Sequence, residues 1–191
     1  MDITSITPTP AMLKALTHPV RVRLLGLLRA EGPATATTLA TRLGLNTGAT
    51  SYHLRQLAQH GFVEDDHERG NGRDRWWRAA HQATRTETPP PGDREAEETF
   101  DAYAQAVAVV MTEQLQRAVE ERPVLPEEWR RASTLSDWGL RLTAKRARAL
   151  LEAMVTVIEE TEEDDADGEG VEDFVVQLTA FPRPGRLGAG Q

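Results

Sequence analysis

Five side chains able to trade hydrogen bonds with a ligand recur at short steps in one segment: Asn46, Thr47, Ser51, Tyr52 and Arg55. On a helix they share one face and leave Ala49, Leu54, Leu57 and Ala58 to the other. Short donors and acceptors beside a guanidinium suit the base edges of a DNA major groove. An ordinary helical hairpin with a solvated face would show the same pattern, so this face alone does not decide. The residues before it add to the case. Leu39, Ala40, Leu43 and Leu45 form an earlier apolar stripe that breaks at Gly44. Thr37 to His60 therefore reads as helix, glycine turn and second helix, the helix-turn-helix layout.

The neighbouring elements must hold that face in place. Thr9-Pro10 opens a first helix through Leu16, and His18-Pro19 opens a second, each with proline at the first helical position. Val20, Leu24, Leu25, Leu27 and Leu28 form the core side of the second helix, which Glu31-Gly32-Pro33 ends. After Gly61, residues 62–65 and 73–80 read as two strands, with Trp76 and Trp77 on opposite faces. The Gly-Asn-Gly tip between them suits a hairpin, and a hairpin directly behind a helix-turn-helix makes a winged helix. Wing residues Arg69, Asn71, Arg73 and Arg75 are then candidates for backbone or minor-groove contact, diluted by Asp66, Glu68 and Asp74.

The net charge of −8 argues against a nucleic-acid partner only until it is resolved along the chain. Residues 1–85 carry eleven basic side chains against seven acidic, a net of +4. Residues 86–191 carry eleven against twenty-three, a net of −12. Screening over about 10 Å makes the local field the one that counts, so DNA contact belongs to the first half. No cysteine is present, which excludes disulfides and thiolate metal sites. No long apolar run or basic leader is seen, and a cytoplasmic location is expected.

Thr86 to Gly92, with three prolines, reads as a stiff connector. Domain limits follow at 1–85 for the winged helix, 86–92 for the linker and 93–191 for a C-terminal dimerisation or effector domain. Residues 93–122 read as one helix about 45 Å long. Phe100, Tyr103, Val107, Val110, Met111 and Leu115 give it a stripe that needs a partner, expected to be a second copy. Glu127 to Ala132 reads as a further turn. Asp137 to Thr143 alternates like a strand, Thr143 caps a helix through Glu160, and Val171 to Phe181 reads as another strand. The class expected is mainly α with small β (α+β), ending in a β-α-β extension with parallel pairing.

Three stretches then carry a family likeness: ALTHPVRVRLLGLL, LATRLGLNTGATSYHLRQLAQHGFVE and RDRWWRA. Over roughly residues 10–82 their order and spacing resemble the ArsR-type winged-helix transcriptional regulators. That likeness implies a homodimeric, sequence-specific binder of double-stranded DNA, usually a repressor released by an effector. Position by position it adds Gly48 to the groove-facing set of Asn46, Thr47, Ser51, Tyr52 and Arg55. It turns Thr50 inward and leaves His53 to packing rather than phosphate. The C-terminal half looks like the extension of an actinobacterial subgroup. One departure matters: Pro33 to Ala40 holds no cysteine, histidine or carboxylate, and no histidine follows His81, so the metal sensors of the founding members are missing.

Other chemistry finds little purchase. In the acidic run from Glu159 to Asp173, a calcium loop aligned on Gly168 would put Phe174 where the bidentate glutamate belongs. The five histidines lack metal or triad spacing, and no phosphate loop or hydrolase motif occurs. Neither enzyme activity, metal nor cofactor is expected. Trp76, Trp77, Trp129 and Trp138 are either packing residues or the lining of a pocket for a small organic effector. The competing reading of the whole is a winged helix used for protein contacts, with DNA binding lost.

Overall fold

The computed structural model describes residues 4–69, 74–165 and 168–185. Within these the chain is an α+β protein that divides into two compact units, Met1–Val124 and Leu125–Gln191.

The first unit begins with a two-residue strand, β1 (Ser5–Ile6). Helix α1 (Pro10–Leu13) follows, with Thr9 as its cap, and a 3-10 turn continues it to Leu16. Helix α2 (Pro19–Ala30) starts from His18, whose Nδ1 accepts a hydrogen bond from the Val20 N–H at 3.2 Å. Strand β2 (Ala34–Thr35) leads into α3 (Ala36–Leu43), and the Thr35 hydroxyl caps that helix through the Thr38 N–H. Gly44 ends α3 at φ 64°, a backbone state that costs glycine little. Helix α4 (Thr47–Gln59) opens on Asn46, whose Oδ1 accepts from the Ala49 N–H at 2.8 Å. Gly61 takes φ 73° just beyond its end. Each such cap satisfies an orphan N–H and stabilises its helix by about 1 kcal/mol.

Strands β3 (Val63–Asp65) and β4 (Trp76–Ala79) form the expected hairpin in antiparallel register, Glu64 opposite Arg78. Its other edge is taken by β2, which pairs antiparallel with β4, Ala34 opposite Trp77. The three-stranded order is β2-β4-β3. A further short strand, β5 (Ala83–Thr84), pairs in parallel with β1 and ties the N-terminus to the end of the wing. Leu24, Leu54, Leu57, Phe62 and Val63 are almost wholly excluded from solvent and form the centre of this unit's core.

The long helix is α5 (Arg94–Glu121), capped by Asp93. Its buried residues Ala96, Thr99, Ala106 and Val110 face the unit's own α1 and α2. Lys14 pairs with Glu95 at 2.6 Å, and Arg23 grips both oxygens of Glu113 at 2.5 and 2.8 Å. The proline connector marks where the chain leaves the wing. The compact division falls later, at Val124/Leu125, because α5 spends its buried face on the first unit.

The second unit holds α6 (Glu127–Ala132), where Arg131 pairs with Glu127, and α7 (Ala144–Glu159), capped by Thr143. The strands expected at Asp137–Thr143 and Val171–Phe181 are absent: both stretches lie outside any ladder among the described residues. The β-α-β extension is corrected accordingly. Alternating apolar residues supply a face, but a strand exists only against a partner strand, and none is offered here.

Candidate nucleic-acid interface

Helix α4 is divided sharply between its two sides. Thr50, Leu54 and Leu57 are buried completely, and the Thr50 hydroxyl donates to the Asn46 carbonyl at 3.1 Å. Its methyl joins the core, as the sequence suggested. Asn46, Thr47, Gly48 and Arg55 are exposed, Tyr52 is 52% exposed, and Ser51 is half-buried. The sequence-derived face is thus a single exposed surface of one helix. Arg55 has no hydrogen-bond or ion-pair partner among the described residues, so its guanidinium is free for a ligand. Asn46 has a second duty: its oxygen caps α4 by accepting from the Ala49 N–H, while its amide N–H groups can donate outward.

The start of α3, the start of α4 and the wing enclose one groove of about 210 Å³. Thr47, Ser51 and Arg55 line it from α4, Thr37 from α3, and Arg75 and Trp77 from β4 and the residue before it. Thr37 escaped notice because its helical position faces the groove only once α3 and the wing are placed together. The N-terminus of α4 opens on the same side, and its free N–H groups favour an anion such as phosphate.

The wing is less available than its arginine count implies. Arg75 is held by Asp65, with Nε 2.7 and 2.8 Å from the two carboxylate oxygens, and its guanidinium carbon lies 4.1 Å from the Trp77 ring centre. Arg78 pairs with Glu64 at 2.8 Å and Arg69 with Asp66 at 3.7 Å. Cross-strand register makes the Glu64–Arg78 pair, Asp65 reaches Arg75 diagonally, and Asp66–Arg69 is a local pair three residues apart. Asn71 and Arg73 lie outside the described residues.

Behind the face, the His53 ring lies tilted against His18 with ring centres 4.7 Å apart, and Tyr52 meets His53 edge-on at 5.5 Å. Burial pushes both imidazoles below their ordinary range. Arg21 and Arg23 add to this at His18, and His18 and Arg21 at His53. His53 Nδ1 is buried without a hydrogen-bond partner. His53 is half-buried and packs between His18 and Tyr52.

The remaining sequence candidates are scattered. On α5, Val110 is buried and Tyr103 packs against the core cluster, while Leu115 is exposed. Phe100, Val107 and Met111 are half-buried. Among the tryptophans, Trp77 belongs to the first unit's core and Trp76 is half-buried on β4. In the second unit, Trp129 stacks on Phe174 at 6.2 Å and Trp138 is exposed. Among the described residues no three His, Asp or Glu side chains converge as metal ligands would. No described helix is long and apolar enough to cross a membrane.

A family model described as a helix-turn-helix domain matches residues 16–66, from the end of the 3-10 turn to just past β3. No curated protein matches the chain. The match brackets α2, α3 and α4, the elements that carry and support the exposed polar face. The match supports a helix-turn-helix within residues 16–66, where α3, the Gly44 turn and α4 have that layout.

Proposed function

We propose that this protein is a sequence-specific, double-stranded DNA-binding transcriptional regulator of the ArsR type, acting as a homodimeric repressor. The observation that carries the reading is the division of α4. Its inner side is fixed by Leu54 and Leu57, and its outer side presents Thr47, Ser51, Tyr52 and an exposed Arg55 beside the wing groove. A rigid helix with that face is what direct readout in a major groove requires. Arg55 reads a guanine edge, Ser51 and Thr47 adjust to neighbouring bases or phosphate, and the α4 N-terminus seats on the backbone. Pairing of two copies through the exposed outer end of α5, where Val109, Leu115 and Val119 lie, sets two α4 helices against an inverted repeat. Half-sites then fall about 34 Å apart. The releasing effector is not a thiol-bound metal, since the chain has no cysteine.

The wing favours one rival. With Arg69, Arg75 and Arg78 each paired to a hairpin carboxylate, its field is largely cancelled, as suits a winged helix docking on protein. A gel shift against the gene's own upstream duplex, in excess random duplex and at several salt concentrations, separates the two. The DNA reading expects a specific complex whose affinity falls steeply with salt. Absence of a complex at low salt supports the rival.

A further inference from the structure

Among its described residues the unit Leu125–Gln191 buries no side chain, yet it exposes thirteen large apolar ones, among them Trp138, Met154, Val157, Val176 and Phe181. Taken with ordinary side-chain areas, their exposed surface is on the order of 1,000 Å², against about 800 Å² per partner in a stable protein interface. A unit with a capped sixteen-residue helix and no core is one half of something.

Helix α7 indicates the other half. Leu150, Met154 and Val157 are exposed along it and Ala147 is half-buried; these four positions are symmetric about residue 152, with Glu152 itself on the far side of the helix. The helix also has an electrical polarity. Lys145, Arg146 and Arg148 stand near its start, and Glu159 and Glu160 at its end, followed by Glu162. A parallel copy would stack like charges. An antiparallel copy places Leu150 beside the other chain's Met154 and Arg146 beside its Glu160, the self-complementary arrangement a two-fold axis demands.

We infer that a second copy of this chain covers the apolar face of the C-terminal unit, with the two α7 helices packed antiparallel about an axis near residue 152. The inference rests on the homodimer reading above and does not depend on DNA binding. It adds a self-contact separate from α5 and gives the apolar stretches 137–143 and 171–181 a second chain to pack against.

Because the natural chain has no cysteine, single-cysteine chains report the contact directly. Full-length Leu150→Cys and Met154→Cys chains are mixed, oxidised mildly and followed by non-reducing electrophoresis, with Thr143→Cys as the control. In an antiparallel pair the two Thr143 positions stand about 27 Å apart along the axis. The mixed pair is expected to crosslink at least about tenfold faster than the control, because the contact raises effective concentration. The exposed substitution Arg146→Glu is expected to slow it about two- to fivefold, and Glu160→Arg in the other chain to restore it. Crosslinking no faster than the control overturns the inference, as does an equally fast Thr143→Cys reaction, which would mean parallel pairing. Sedimentation of the natural chain separates the failures. A dimer without the 150–154 crosslink removes the α7 contact alone, and a monomer removes the homodimer reading as well.

Discussion

The two units use similar sequence patterns to different ends. In the first, stripes on α2, α4 and α5 meet one another and become a core in which Leu24, Leu54 and Leu57 are fully hidden. In the second, α7 has an equally clear stripe and an equally sound cap, yet Leu150 and Met154 remain about two-fifths exposed. Amphipathic periodicity declares that a face must be covered. It does not say by what: the first unit covers its stripes from within, while among the described residues of the second no side chain is buried.

The comparison can be broken most forcefully at the core. Leu54→Ala should cost about 2–5 kcal/mol in urea denaturation, because it empties a site with no route for solvent. Val176→Ala, measured on dilute chain, should stay within about 0.5 kcal/mol, as for a surface position. Equal costs would mean that the C-terminal unit has a core of its own. Next come the caps. Asn46→Ala should lower stability by about 1 kcal/mol through loss of the Ala49 N–H bond, and Thr143→Ala should cost no more. A larger loss at Thr143 would show α7 to be cooperatively folded with the rest.

The smallest effect belongs to the imidazoles of His18 and His53, which lie against each other in the first unit. His18 and His53 both have lowered values, so the unfolded chain takes up protons before the folded one. Their contribution is present in full above the ordinary value of about 6.5 and is lost as pH falls from there towards the lowered folded-state values. Stability measured from pH 8 to 5 should therefore be flat and then decline, and a His18→Gln, His53→Gln variant should lose part of that decline. A natural chain that gains stability on acidification over this window would contradict the assignment.

Much of the first unit was legible in the residues. Proline starts, threonine and asparagine caps and Gly44 are local signals, and they located α1 to α4 and the hairpin well. What escaped was non-local. A two-residue strand such as β2 has no periodicity to detect, and its role appears only when Ala34 meets Trp77. The stripe on α5 was clear, but its owner was not, since α1 and α2 satisfy it as well as a second copy would. Residues 137–143 and 171–181 alternate as strands do, and pairing needs a partner that alternation cannot name. On α4, the exposed face that holds Arg55 and its neighbours was legible from type and spacing. The diluted charge of the wing was legible too, but which carboxylate holds which arginine was not, because those pairs depend on the folded hairpin.

The central claim is that the outer face of α4 reads base sequence. Binding of the natural chain, Arg55→Ala and Ser51→Ala to an operator duplex and to a scrambled one, at matched salt, tests it most directly. The account predicts that Arg55→Ala costs about 1–3 kcal/mol on the operator, Ser51→Ala less, and both little on the scrambled duplex. Equal losses on the two duplexes, or none on either, would contradict it.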